Sequence, residues 1–196
     1  MSCMRTKEFE LDEVADAAMN VFWLRGYAAT SVQDLVEGTG LSRSSLYSTF
    51  ENKQGIYQQA LRRYQSVTMA NVKLLSGPGS PKDLIRKLLM RIVEDELGDS
   101  QRRGCLVANA TLELAGQDEA VAELVTYNFQ CLQKALEKLI QRGQQSGDVA
   151  ASKNMRALAR FFVNTMQGLR VLSKGCPAKQ RRQCLLDVID VALETL

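Results

Sequence analysis

Three features of this sequence predict an all-α fold. Apolar residues recur at the 3.6-residue helical period through most of the chain, which lines them up on one face of each segment. Hydroxyl residues stand just ahead of apolar runs, as Ser31 does before Val32, and glycines follow them, as Gly26, Gly40 and Gly147 do; that is the order helix caps require. Glycine and proline together interrupt the pattern strongly at 76–81, SGPGSP, where no helix continues. The expected organisation is an N-terminal three-helix domain over 1–52, a connecting helix over 53–75 and a C-terminal helical domain over 76–196.

The front half is built from short elements. Met1 to Lys7 carries Arg5 and Lys7 without an apolar period and is expected to be a flexible basic arm. From Phe9 or Glu10 to Arg25, Val14, Ala18, Val21 and Phe22 follow the helical period, with acidic residues in the first turns where the helix dipole favours them. A second helix opens behind Ser31, the preferred N-cap, with Thr30 beside it. It carries Val32, Leu35 and Val36 and ends at the Gly38-Thr39-Gly40 turn. Leu41 plugs that turn, and Ser42 caps a third helix from Arg43 to Thr49 whose inner face is Leu46 with Phe50 four residues on. Phe22, Val21 and Ala18 should pack on Leu35, Leu46 and Phe50, with Trp23 at the helix edge. Glu51-Asn52-Lys53 then starts a long helix running towards Leu74 or Leu75.

Beyond the Gly/Pro break the helices lengthen. Asp83 to Leu97 carries Leu84, Leu88, Ile92 and Val93, and Cys105 to Ala115 is an apolar helix with Asn109, Thr111 and Glu113 inside it. Gln117 to about Ser146 is the longest periodic stretch. Two final helices, about Lys153 to Leu172 and Ala178 to Leu196, carry apolar stripes wide enough to face something large. Gly168 is costly in a helix interior, about 1 kcal/mol against alanine, and is expected where another helix crosses closely.

The third helix is too polar to be ordinary core. Arg43, Ser44, Ser45, Tyr47, Ser48 and Thr49 leave one apolar side and a wide hydroxyl-rich outer one. A helix of this width fits the major groove of DNA, where arginine donates twice to guanine and hydroxyls bond to bases or phosphates. The short turn before it is the connection such helix pairs use. Because one short helix reads only a few base pairs, two copies a helical turn apart are needed to read a near-palindrome.

Gly26-Tyr27, Thr30-Ser31-Val32-Gln33-Asp34-Leu35, Gly40-Leu41-Ser42, Leu46-Tyr47, Phe50 and Lys53 together resemble the TetR family of bacterial transcriptional repressors. The likeness is close over roughly residues 9 to 65 and architectural beyond. It implies a helix-turn-helix DNA-binding motif over about 31–50 and a C-terminal effector-binding and dimerisation domain. Residue by residue, it places Arg43, Ser44 and Ser45 on bases, and Ser31 with its neighbour Thr30, Tyr47 and Lys53 on the backbone. Ser44 and Thr39 stand where the family often has glycine and alanine, so base preference does not transfer. The resemblance also implies a homodimer through the last two helices, a four-helix contact, and a small-molecule effector in a helical cavity. Polar residues on apolar faces, Asn109, Glu113, Asn128, Asn164 and Gln167, together with Phe129 and Phe162, are the candidate effector contacts. The long helix from Lys53 is the expected lever between effector and DNA.

Composition sets the limits. With 45% apolar and 24% charged residues, net charge +3 and pI 8.6, the chain falls in the globular range and is compatible with nucleic acid. No signal peptide or membrane span is evident, so a cytoplasmic location is expected. Five cysteines without close pairing and the absence of histidine argue against a disulfide scaffold, a metal site or a cofactor, and against an enzyme. Two alternatives remain open. One is a redox- or electrophile-sensing repressor using Cys105, or Cys176, where a helix start would lower a thiol pKa. The other is an all-helical protein-interaction adaptor that does not bind DNA.

Overall fold

The computed structural model describes the backbone from residue 3 and the side chains from residue 11. The described residues form nine helices and no strand: α1 (Cys3–Arg25), α2 (Val32–Thr39), α3 (Arg43–Phe50), α4 (Lys53–Leu75), α5 (Pro81–Gly98), α6 (Leu106–Glu113), α7 (Glu119–Ser146), α8 (Met155–Gly175) and α9 (Arg181–Leu193). They divide into two compact units, Met1–Ser66 with Cys105–Thr126, and Val67–Gly104 with Tyr127–Leu196. Most helix ends fall within three residues of their sequence expectation. The exception is α1, which starts at Cys3, so the stretch expected to be an arm is helical from there. A helix extends by one hydrogen bond per residue at little cost once nucleated, with no apolar face required. Met1, Ser2 and the side chains of Arg5 and Lys7 lie outside the described residues.

In the first unit Ala18 and Phe22 of α1 are fully buried with Leu35, Leu46 and Phe50, as their spacing predicts. Val21 is only half-buried, yet its methyl fills the space beside Gly38, where a Cβ would lie 2.2 Å from it. Gly38 therefore sits inside α2 as a point of close approach to α1 and does not end the helix. Gly40 does, at φ 72°, a left-handed conformation that glycine adopts without penalty. An aromatic cluster extends the core towards α4: Tyr57 meets Phe22 edge-on at 4.8 Å and Tyr27 at 4.9 Å, and Trp23 meets Tyr64 edge-on at 5.0 Å. Arg63 of α4 grips Asp16 of α1 with two nearly parallel bonds of 2.6 and 2.8 Å.

The second unit has the larger continuous core. Leu84, Leu88 and Ile92 of α5, Leu136 and Ile140 of α7, Phe162, Met166 and Leu169 of α8, and Leu185 and Ile189 of α9 are all buried in one cluster. Each such side chain contributes about 1.5–3 kcal/mol on burial. At one end of it a buried ion cluster ties three helices together. The Glu96 carboxylate lies 3.7 Å from Arg170 and 3.8 Å from Arg181, while Arg181 Nε donates to Ser173 at 2.8 Å. Burial pushes the Glu96 carboxyl up against the pull of Arg170 and Arg181.

One face of α8 and α9 is left uncovered by the described residues. Phe161, Val171, Leu172 and Val191 are exposed by 40, 65, 39 and 65%, with Asn164 and Gly168 exposed among them. Apart from its chain neighbours and the backbone of its own helix, nothing among the described residues lies within 4 Å of where a Cβ would stand at Gly168. The helix expected to cross there is not supplied by the described residues of this chain. None of their helices is long and apolar enough to cross a membrane.

Candidate nucleic-acid interface

Local chemistry fixes the start of α2. Ser31 Oγ accepts from the Asp34 amide at 3.1 Å and donates to Asp34 Oδ2 at 2.7 Å, while the Ser31 amide donates to that same oxygen at 2.8 Å. This reciprocal capping box satisfies two otherwise orphaned donors. Asp34 also pairs with Arg25 at 3.2 Å. The bonds from Ser31, and then the charges of Arg25 and Lys53, hold the Asp34 carboxyl below the ordinary carboxylate range. Thr30 has a different job from the one its position suggests. It is 1% exposed, and its hydroxyl donates to the Gly26 carbonyl at 2.6 Å, so it closes the turn between α1 and α2 and offers nothing to a ligand.

α3 is capped in the same short-range way. Ser42 Oγ accepts from the Ser45 amide at 3.1 Å and lies 2.9 Å from the hydroxyls of both Ser44 and Ser45. Leu46 and Phe50 anchor the inner side, leaving Arg43, Ser44, Ser48 and Thr49 exposed and Ser45 and Tyr47 half-exposed. The Arg43 guanidinium stands 5.7 Å from the Tyr47 ring, a cation–π distance that steers the side chain without burying it. The residue types and the exposure of Arg43, Ser44, Ser48 and Thr49 on this face suit a groove.

Lys53 begins α4, behind Asn52, whose side chain accepts from the Gly55 amide at 2.9 Å and so caps the helix. The Lys53 ammonium sits 4.4 Å from the Tyr27 ring. Burial pushes its pKa down, opposed by the charges of Glu113 and Asp34. Tyr27 therefore acts as a platform for Lys53, a role the sequence does not announce, because the tyrosine lies in a turn 26 residues earlier.

The candidate effector residues fall in both units. Asn109 and Glu113 belong to the first unit, and Asn128, Phe129, Phe162, Asn164 and Gln167 to the second. Glu113 is engaged with the turn after α1: its Oε2 accepts from the Ala28 amide at 3.0 Å. Asn128 is buried and accepts from the Thr68 hydroxyl at 2.7 Å. Phe162 is core, in edge contact with Phe161 at 5.3 Å, and Asn164 faces outwards on the uncovered face of α8. Phe129 and Asn109 are half-buried. Gln167 alone of this set carries a buried carbonyl oxygen without a hydrogen-bond partner.

Of the two candidate cysteines, Cys105 opens a helix as expected and Cys176 does not. Cys176 is the C-cap of α8, not the start of α9, which begins at Arg181. Burial, and then a hydrogen bond with Cys184, push its thiol up, the reverse of the lowering a helix start would give. Cys105 is buried at the N-cap of α6, 3.8 Å from the Tyr64 hydroxyl.

Comparison with known proteins agrees with this geometry. A model of bacterial regulatory proteins of the tetR family matches residues 14–60, and one of tetracyclin repressor-like C-terminal domains matches residues 84–183. YezE, an uncharacterised HTH-type transcriptional regulator of Bacillus subtilis, is 28% identical over 194 residues, 98% of each chain. ComR, an HTH-type transcriptional repressor of Escherichia coli, is 26% identical over 172 residues, 87% of this chain and 82% of its own. A cysteine mutant of CifR, a TetR family transcriptional regulator solved with 26 bp double-strand operator DNA, superimposes with a TM-score of 0.80 at 32% identity, covering 93% of this chain and 95% of that one. This chain belongs to the TetR family of bacterial regulatory proteins and is a helix-turn-helix, DNA-binding transcriptional regulator.

Proposed function

We propose that the chain is a dimeric, cytoplasmic repressor that reads a near-palindromic operator and is released from it by a small molecule. The observation that carries the first part is the α3 surface: a helix pinned by Leu46 and Phe50 whose other sides are wet hydroxyls and one arginine. Arg43, Ser44 and Ser45 face base edges, while Ser31, Tyr47 and Lys53 hold phosphates. Thr30 is left out of this set because it is buried, whereas Ser31 beside it is exposed. The uncovered apolar face of α8 and α9 supports dimerisation, with Phe161, Val171 and Val191 buried against a second copy of the chain.

The roles divide as the sequence suggests, with DNA reading in 1–52, a link in 53–75 and effector binding with dimerisation in 76–196, although α6 packs in the same compact unit as the DNA-reading helices. Release requires an effector that binds one spacing of the two heads better than the other, and α4, continuous from Lys53 to Leu75, is the lever. The unpartnered Gln167 carbonyl supports a polar effector contact in the C-terminal part. The raised Cys176 thiol favours this reading over a thiol sensor at that position.

Selection of duplexes from a random pool tests the proposal, followed by release with a panel of small molecules. Recovery of an inverted repeat with half-sites one helical turn apart, bound with a steep loss on raising salt, is the expected result. Recovery of no preferred duplex would overturn the reading of a near-palindromic operator.

A further inference from the structure

The turn between α1 and α2 is held from a distant part of the chain. Glu113, the last residue of α6, reaches back 85 residues to accept from the Ala28 amide at 3.0 Å. Its other carboxylate oxygen lies 2.6 Å from where a Cβ would stand at Gly26, so a side chain at Gly26 would displace it. Gly26 is at φ 79°, and its carbonyl accepts from Thr30. The carboxylate thus cups the backbone of Gly26 to Ala28, a few residues ahead of the Ser31 cap that starts α2. Tyr27 sits inside the gripped turn, and its ring carries the Lys53 ammonium at 4.4 Å. On the other side the ring packs on the buried Tyr57 at 4.9 Å.

These contacts form a chain of dependence. The grip fixes the backbone of the turn, the turn fixes the Tyr27 ring, and the ring fixes where Lys53 stands at the start of α4. We propose that Glu113 is a positioning residue for DNA binding, holding the Gly26–Ala28 turn and through Tyr27 the phosphate-facing Lys53. It touches no DNA itself. A carboxylate suits the task because a charged acceptor makes a stronger bond to an amide than a neutral one does, and because it attracts Lys53 without covering it. The proposal rests on the assignment of Lys53 to a DNA phosphate, so its test needs one arm independent of DNA.

That arm is amide exchange in the full-length chain. Glu113→Ala should remove protection at Ala28, whereas Glu113→Gln, which keeps an acceptor oxygen, should retain most of it. The second arm measures affinity for a duplex that the wild-type chain selects from a random pool. Glu113→Ala should weaken binding about fivefold to tenfold and make the salt dependence shallower by about one phosphate contact. Glu113→Gln should recover most of the loss. A double-mutant cycle with Gly26→Ala adds a geometric check: the added methyl already displaces the carboxylate, so Glu113→Ala should cost almost nothing further in that background.

A carboxylate that served stability alone would lower the melting temperature and leave the folded protein's affinity and salt slope unchanged; that result overturns the proposal. So does full additivity in the cycle. If the wild-type chain selects no duplex, the repressor assignment fails by itself, and the grip stands or falls on Ala28 exchange: unchanged protection in Glu113→Ala overturns it.

Discussion

The front pair α2–α3 and the rear pair α8–α9 each leave a helix face uncovered, and the two faces differ in what they ask of a partner. The front exposes Arg43, Ser44, Ser48 and Thr49, polar groups that water can satisfy. The rear exposes Phe161, Val171 and Val191, apolar groups that it cannot. Apolar area gains about 25 cal/mol per Å² when covered, so the rear face is suited to permanent closure and the front to contacts made and broken. The polar bonds that hold them differ in reach as well. At the front the helix caps run between residues three apart, Ser31 with Asp34 and Ser42 with Ser45. At the rear the bonds that tie α9 to α5 span 85 residues from Arg181 to Glu96 and 104 from Arg86 to Asp190.

The largest effect should come from breaking the rear face. Val171→Glu places a carboxylate on the apolar strip, where closure would bury it without a partner. Sedimentation should find the variant monomeric, with a native circular dichroism spectrum. Affinity for the selected duplex should fall about a hundredfold or more, because two linked heads gain that much over one. A variant that remains dimeric would place the interface elsewhere.

Next in size is the buried cluster behind that face. Arg181→Ala removes one of the two cations beside Glu96 and frees Ser173. Breaking a buried pair typically costs 3–5 kcal/mol; since Arg170 remains 3.7 Å from the carboxylate, a loss of about 3 kcal/mol in urea unfolding is expected. A loss below about 1 kcal/mol would show that Glu96 takes up a proton and leaves the network uncharged.

At the front, single substitutions should change recognition more than stability. Arg43→Ala should alter which bases are preferred, at about 1–3 kcal/mol per reassigned contact. Lys53→Ala should weaken all sequences alike and reduce the salt slope by about one. Repeating the pool selection with each variant separates the two outcomes, and an unchanged consensus from Arg43→Ala would move base reading to Ser44 and Ser45.

The same contrast explains what could be read from the sequence. The helical class, the Ser31 and Ser42 caps and the inner faces of α1 to α3 were legible because their causes lie within a few residues. Thr30 was not, since two adjacent hydroxyls look equivalent until the backbone turns one of them towards Gly26. Glu113 and Asn164 share a polar-in-apolar pattern, yet one reaches a turn 85 residues away and the other faces outwards. Period alone does not separate these fates. At Cys176 a boundary difference of three residues, Arg181 in place of Ala178, exchanged a helix start for a helix end and with it the sign of the local dipole.

The smallest effect is also the most local. Ser31→Ala should lower stability by about 1 kcal/mol, the usual cost of an N-cap. A pH series shows whether the capping box is the cause. The Asp34 carboxyl is held below its ordinary value, first by the Ser31 hydroxyl and amide. Its contribution is therefore complete above the unfolded-state value and is lost as pH falls through the lower folded-state value. Wild type should shed this contribution on acidification below the ordinary carboxylate range. Asp34→Asn should show none of that dependence, and Ser31→Ala should show less of it because the hydroxyl bond is gone while the Arg25 pair at 3.2 Å persists. If wild type and Ser31→Ala melt in parallel at every pH, Arg25 and not the cap holds the carboxylate, and the front pair would depend on a longer-range contact, as the rear pair does.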